Sequence, residues 1–233
     1  MPVSAQVQDE VGVICLDRPL RANAYDREHL DALERAVEGM VQAGARAVVL
    51  ESAGEGAFCG GADLAELAAA TPLDALDLRS QRVFDRLARA PFVSVAAVHG
   101  AAVAGGCELA LACDLRVVGP AARFSLPETS MGLIPSAGGT TRLTALLGPA
   151  IARQVILAGR ELDAALALAW GLAVEQAQDP RRRARELATS IARRDPVALR
   201  LAKGIIAGDG GITSLDAERV AEALLYARRR ARP

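Results

Sequence analysis

Four short apolar runs rich in β-branched residues mark the first half of the chain: Val11 to Leu16, Ala47 to Leu50, Phe92 to Val98, and Leu115 to Val118. Runs of this length, set off by polar or turn residues, predict strands. Between them the apolar positions recur at helical spacing. Leu30, Leu33, Val37 and Val41 share one face of a helix that Asp26 can cap and that runs to about Ala43. A second helix is expected from Leu73 to Ala90, where Pro91 stops it. Glu108 to Cys113 reads as a short helix reached through Gly105 and Gly106, and Gly139 to Leu147 as another reached through Gly138. After Pro149 the pattern is helical throughout: Ala150 to Leu157, Asp163 to Trp170, Pro180 to Arg194, Pro196 to Ile206, and Thr213 to Arg230 are separated by Gly or Pro breaks. Strands alternating with helices, then helices alone, argue for an α/β core with a helical appendage. No internal repeat is visible.

Composition narrows the function classes. Among 233 residues, 27 Lys and Arg balance 28 Asp and Glu for a net charge of -1, which argues against a basic nucleic-acid binder and against an acidic disordered protein. Aromatics make up only 3%, so the core must be built from Ala, Leu and Val, and base-stacking platforms are not expected. Cys15, Cys59, Cys107 and Cys113 form no CxxC pair, so they read as buried free thiols of a reducing compartment rather than as a metal or redox site. Met1 to Asp9 lacks a basic segment followed by an apolar run, and no stretch reaches the roughly 18 apolar residues that span a bilayer, so a cytoplasmic protein without membrane contact is expected. The basic runs Arg181 to Arg183 and Arg228 to Arg230 read as solvated helix faces.

Three glycine-containing segments carry the candidate chemistry: Ala57 to Leu64 (AFCGGADL), Ala104 to Leu109 (AGGCEL), and Leu126-Pro127-Glu128 leading to Gly132-Leu133-Ile134-Pro135. The first two put small residues just before a helix, where free backbone N–H groups can hold an anionic oxygen. Neither GxGxxG nor a phosphate-loop lysine motif occurs, which excludes the common nucleotide sites, and the absence of GxSxG weakens a serine hydrolase. Glu108 stands in an otherwise apolar segment, where an unpaired buried carboxylate is costly. Glu128 lies 20 residues further on. A solvent-facing position remains open for each, and spacing alone does not bring them together.

The segments Pro91 to Asp114 (PFVSVAAVHGAAVAGGCELALACD) and Phe124 to Leu143 (FSLPETSMGLIPSAGGTTRL) resemble the signature of the crotonase superfamily, in its enoyl-CoA hydratase branch. Further matches run from Arg18-Pro19 and Asn23-Ala24 through Ala57 to Leu64 and on to Gly159-Arg160 and Gly171-Leu172, so the likeness spans about Val11 to Ala202. It implies an α/β fold: a crotonase-like spiral of ββα units over residues 1–175 holding an acyl-CoA site, and a helical trimerisation region over 176–233. The assembly implied is a homotrimer or a dimer of trimers.

The same likeness implies that the N–H groups of Ala62 and Gly105 form an oxyanion hole for a thioester, each such donor being worth about 10²–10³ in rate. Gly60, Gly61, Ala62, Asp63, Leu64 and Ala65 correspond to a stretch that touches coenzyme A. Ala22 and Ala24 form another wall, and Gly106 and Pro127 complete the substrate contacts. Both hydratase acid/base positions are filled, by Glu108 for the water and Glu128 for the α-carbon proton. The implied reaction is reversible addition of water to a 2-enoyl-CoA, with no metal and no cofactor beyond the coenzyme A of the substrate. Alternatives are another acyl-CoA enolate reaction (isomerisation, specialised dehydration or decarboxylation) or a non-catalytic, for instance RNA-binding, member.

The chain departs from the family pattern in four places. His99 stands where Asn is common and reads as a packing residue, Ala104 replaces a third glycine, and Ser136 takes a small-residue position near the acyl end. The chain stops at Pro233 without the final segment that in many relatives covers a neighbouring site, which puts part of the lid in question. The acyl tail is expected to meet residues in the Leu67 to Phe84 region.

Overall fold

The computed structural model describes residues 2–208 and 214–230. Six strands form one sheet in the spatial order β1 (Val3–Gln8), β2 (Val11–Leu16), β3 (Ala47–Ser52), β4 (Val93–Val98), β6 (Leu115–Val118) and β9 (Glu175–Gln176). Only the β1–β2 pair is antiparallel; from β2 to β9 the pairing is parallel. A second sheet of three strands has the order β5 (Ala101–Val103), β7 (Arg123–Ser125) and β8 (Leu162–Asp163).

The chain winds between the sheets in a repeated step. After β4, the turn at His99 and Gly100 sends it into β5 of the small sheet and then into helix α5 (Gly105–Ala112). The same step follows β6, through β7 into α6 (Gly139–Ile156). Earlier turns of the spiral have only single bridges in place of the second strand. Tyr25 pairs with Ala62 between β2 and α1 (Arg27–Gln42), and Cys59 pairs with Ala102 between β3 and α2 (Leu64–Ala69). This stacking brings residues near 25, 62 and 104 side by side although the sequence spreads them over some eighty positions.

Every residue of β3 is buried, because helices cover both faces of the large sheet. The main core lies between the sheets and α1, α4 (Arg79–Ala88), α5 and α6, around Phe58, Phe84, Phe92 and Phe124. On the opposite face Ala184, Ala188, Ile191 and Ala192 of α8 (Pro180–Ala192) pack on Ala47, Val49, Val95, Ala97 and Val117. Alanines on both sides allow this close approach, as the shortage of aromatics requires. Helices α9 (Pro196–Ala207) and α10 (Ser214–Arg230) follow, joined to each other by the Arg228–Asp195 ion pair.

Several elements differ from the hydropathy reading. Strand β1 was not expected, because five of its six residues are exposed and only main-chain pairing with β2 defines it. The helix expected over Leu73 to Ala90 is broken: α3 (Pro72–Asp77) is separated from α4 by Leu78 at φ 28°, a conformation that interrupts the helical path. Leu64 to Ala69 adds a helix, capped by Asp63. Helix α5 begins at Gly105 rather than Glu108. By contrast, the two helices expected on either side of Gly148 are both present, divided by the non-helical backbone of Gly148 at φ 77° within the span Gly139–Ile156. Thr213, the expected start of the last helix, lies outside the described residues.

The Arg181 to Arg183 face is not merely solvated. Arg181 bonds the carbonyls of Ser52 and Gly54 and pairs with Glu55, while Arg183 pairs with Glu175 and Glu186. In the second basic run, Arg228 reaches Asp195, and the side chains of Arg229 and Arg230 lie outside the described set. All four cysteines are free, and burial raises the thiols of Cys59 and Cys113 to about 12. Among the described residues no helix is long and apolar enough to cross a membrane.

Candidate active site

The Tyr25–Ala62 bridge orients the first candidate donor. Tyr25 N–H donates to Gly61 O at 2.9 Å, and Asp63 N–H donates to Tyr25 O at 2.8 Å. Because strand N–H groups alternate in direction, the intervening Ala62 N–H points away from Tyr25. The adjoining Gly61 lies against the start of α5: a β-carbon placed on it would lie 3.1 Å from Gly105 N and 3.0 Å from Val103 O. Gly105 is the first residue of α5, so its N–H has no partner within the helix. Among the described residues neither the Ala62 nor the Gly105 N–H donates to a protein acceptor.

The backbone just before Gly105 is strained. Ala104 sits at φ 50°, ψ -124°, a region suited to glycine, which gives physical content to its departure from the family pattern. Gly106 answers a different need: its β-carbon would fall 1.9 Å from Cys59 O, so the helix start lies directly on the Cys59 backbone.

The structure brings Glu108 and Glu128 together. Glu108 lies in the first turn of α5 and is 3% exposed; Glu128 opens a 3-10 turn after Pro127 and is 7% exposed. Glu108 Oε1 accepts a 2.8 Å hydrogen bond from Gly139 N–H, the first residue of α6. Gly139 must be glycine for this fit, since a β-carbon there would meet Pro135 at 2.7 Å and Glu108 Oε1 at 2.9 Å. Burial pushes the Glu108 carboxyl up to about 7, and the nearby Glu128 charge adds to the rise. The Gly139 and Ala137 N–H groups and Arg142 oppose it without cancelling it. Burial also raises Glu128, whose Oε2 is buried without a partner. Two carboxyls whose pKa values are raised by burial, one of them with an unused oxygen, suit proton transfer to and from a bound molecule.

The remaining candidates divide by what their side chains already do. Asn23 is buried and fully engaged: it accepts from Arg18 N–H and donates to Ala53 O and Ala57 O. It thereby holds the turn whose flanking residue Ala22 receives the Gly60 N–H at 2.8 Å. Asp63 caps α2 through Ala65 N–H and pairs with Arg18 at 2.8 Å, so its carboxylate is spent on the loop. Leu64 and Ala65 face solvent beside it, as does Ala22, and Ala24 is half-buried. In the Leu67 to Phe84 region, α2 and α3 bury nothing, whereas Val83 and Phe84 of α4 enter the core. Gln81 reaches back to Ser136 O at 2.8 Å, tying α4 to the loop before α6.

His99 lies elsewhere. It lines a cavity of about 890 Å³ with Glu55 and Arg181, and that lining includes neither Glu108 nor Glu128. Burial lowers its pKa to about 4, and its ring nitrogens have no partner, in keeping with a packing role. Sequence reasoning missed Tyr25 and Arg18, whose parts in the site come from contacts with residues far along the chain. The only local signal for Tyr25 was an aromatic in a chain that has few.

The profile of the enoyl-CoA hydratase/isomerase family matches residues 6–228. The chain belongs to the enoyl-CoA hydratase/isomerase family. Among curated relatives of this family, the chain is 40% identical over 202 residues to the probable mitochondrial enoyl-CoA hydratase 2 of Arabidopsis thaliana, covering 84% of this chain and 66% of that protein. It is 33% identical over 210 residues to the short-chain-enoyl-CoA hydratase of Clostridium acetobutylicum, covering 88% and 80%. Among solved structures, the enoyl-CoA hydratase of Bacillus anthracis superposes with a TM-score of 0.90 at 33% identity, over 96% of this chain and 90% of that one. The crotonase-type spiral expected from the motifs is therefore the fold of this chain, and an acyl-CoA substrate is what this family implies.

Proposed function

We propose that this chain adds water reversibly across the 2,3 double bond of a 2-enoyl-CoA. The observation that carries the reading is the pair of buried carboxyls, Glu108 and Glu128, next to two backbone amides left without protein acceptors. Hydration needs one group to take a proton from water and another to deliver a proton to carbon. In the proposed step, ionised Glu108 accepts the water proton as the oxygen bonds to the β-carbon. The π electrons move toward the thioester, whose oxygen becomes negative between the Ala62 and Gly105 N–H groups. Protonated Glu128 then delivers its proton to the α-carbon. Water has been added, Glu108 holds a proton and Glu128 has lost one, so a proton must return between them before the next turnover.

In this reading Ala22, Ala24 and residues 60–65 border the coenzyme A part of the substrate, and Gly106 and Pro127 lie at the acyl end. The test follows loss of the conjugated thioester absorbance of crotonyl-CoA and of longer and branched enoyl-CoAs. Absence of turnover across the panel rejects hydration. Mass analysis of the product separates the rivals, because hydration adds water whereas isomerisation leaves the mass unchanged.

A further inference from the structure

Tyr25 touches both segments that bear the candidate amide donors. Its backbone pairs on either side of Ala62, through Gly61 O and Asp63 N–H. Its side chain crosses to the other segment: a β-carbon on Gly105 would lie only 2.0 Å from the Tyr25 hydroxyl oxygen and 2.8 Å from the ring carbon that carries it. The absence of a side chain at 105 therefore makes room for this phenol as well as for any substrate. The ring is held from behind by Phe84, edge to face at 5.6 Å and 87°. Tyr25 is buried, and the Ser80 side chain lies near its hydroxyl. When the serine hydroxyl donates to the phenol oxygen, the direction that favours ionised tyrosine, the phenol's own proton is left for another partner.

Resting on the hydratase reading above, we propose that the Tyr25 hydroxyl is a third donor to the thioester oxygen, acting beside the Ala62 and Gly105 amides as negative charge develops there. Burial and the charges of Glu108 and Glu128 keep the phenol protonated well above its ordinary range, so it donates throughout the working pH. A neutral donor in a dry pocket stabilises developing charge strongly, because little water competes with it and it needs no reorientation.

Tyr25→Phe isolates the hydroxyl, since it keeps the ring, the Phe84 contact and the backbone bridge. The expected result is a fall of about 10- to 100-fold in kcat with crotonyl-CoA, with KM nearly unchanged. Affinity for butyryl-CoA, which has no developing charge, stays within about twofold, while affinity for the enolate of acetoacetyl-CoA, read from its ultraviolet band, drops by the same factor as kcat. Equal loss of affinity for both ligands, or wild-type enolate affinity in Tyr25→Phe, overturns the proposal. Exchange of the α-proton of butyryl-CoA in heavy water separates this idea from the hydratase reading. If wild-type protein exchanges the proton but hydrates nothing, hydration is wrong, and the effect of Tyr25→Phe on exchange still decides the role of the hydroxyl. If it neither hydrates nor exchanges, both fall.

Discussion

Relative to wild type, replacing Glu108 by Gln should stabilise the protein more at alkaline pH than at acid pH, while removing its activity. In the folded chain this carboxyl is 3% exposed and its pKa is raised from 4.5 to about 7, chiefly by burial. A raised acid binds its proton more tightly folded than unfolded, so ionisation opposes folding. The penalty is absent below pH 4.5, grows as pH rises toward 7 and is complete above it. At about 1.4 kcal/mol per pKa unit, it amounts to about 3 kcal/mol at pH 8 and less than about 1 kcal/mol at pH 5.

Gln keeps an oxygen to accept the Gly139 N–H but carries no charge. Any cost of its unpaired NH₂ is the same at both pH values and drops out of their difference. Urea unfolding of both proteins at pH 5 and pH 8 is the assay. Relative to wild type, Glu108→Gln should gain about 2–3 kcal/mol between the two conditions. A stability difference constant to about 0.5 kcal/mol across that range would refute the idea that this carboxyl is held near neutrality by burial.

Other consequences can be tested separately. Glu128→Gln should lower hydration by about 10²–10⁴ while leaving butyryl-CoA affinity intact, measured by steady-state kinetics and calorimetry; a tenfold loss of affinity would mean the residue binds rather than transfers a proton. In wild type, kcat/KM should pass through a maximum, rising with pH along a limb centred near 7 as Glu108 ionises to accept the water proton and falling where Glu128 loses the proton it delivers, both limbs being properties of the coupled pair; a rising limb near 4.5 argues that Glu108 is not that base. Ala104→Gly should raise stability by about 1 kcal/mol in thermal or urea unfolding, since it relieves the backbone at φ 50°; destabilisation would show that the strain is not there. Arg116→Met should cost about 3 kcal/mol or more. Its guanidinium is buried and donates to the carbonyls of Leu172, Ala110, Cys113 and Asp114, and of these Ala110 O would still keep the Cys113 N–H; urea unfolding measures the cost.

What could be read from the chain follows from where side-chain chemistry reports the local environment. The central strands are buried on both faces and therefore appear as unbroken apolar runs. The Asp26 cap was legible because its partner, His29 N–H, is three residues away. Glu108 stood out because a carboxylate amid Leu and Ala needs a reason to be there. The glycine motifs and their family likeness point to the two amides. Strand β1 left no such trace: its side chains face solvent, and it is held by main-chain bonds, which any sequence can make. The break at Leu78 was also hidden, since a leucine carries no turn signal.

The tertiary structure alone decided which distant residues meet. Winding from the large sheet to the small one sets Tyr25, Ala62 and Gly105 next to one another, and the packing of α5 on α6 gives Glu108 the Gly139 N–H. Proximity across tens or scores of residues depends on the sum of many weak packing choices rather than on any local pattern. The amino-acid sequence by itself therefore determined the four central strands, most of the helices and the groups capable of chemistry. Burial and juxtaposition, which exist only in the folded chain, brought two acidic residues together and raised both carboxyls, taking Glu108 to about 7.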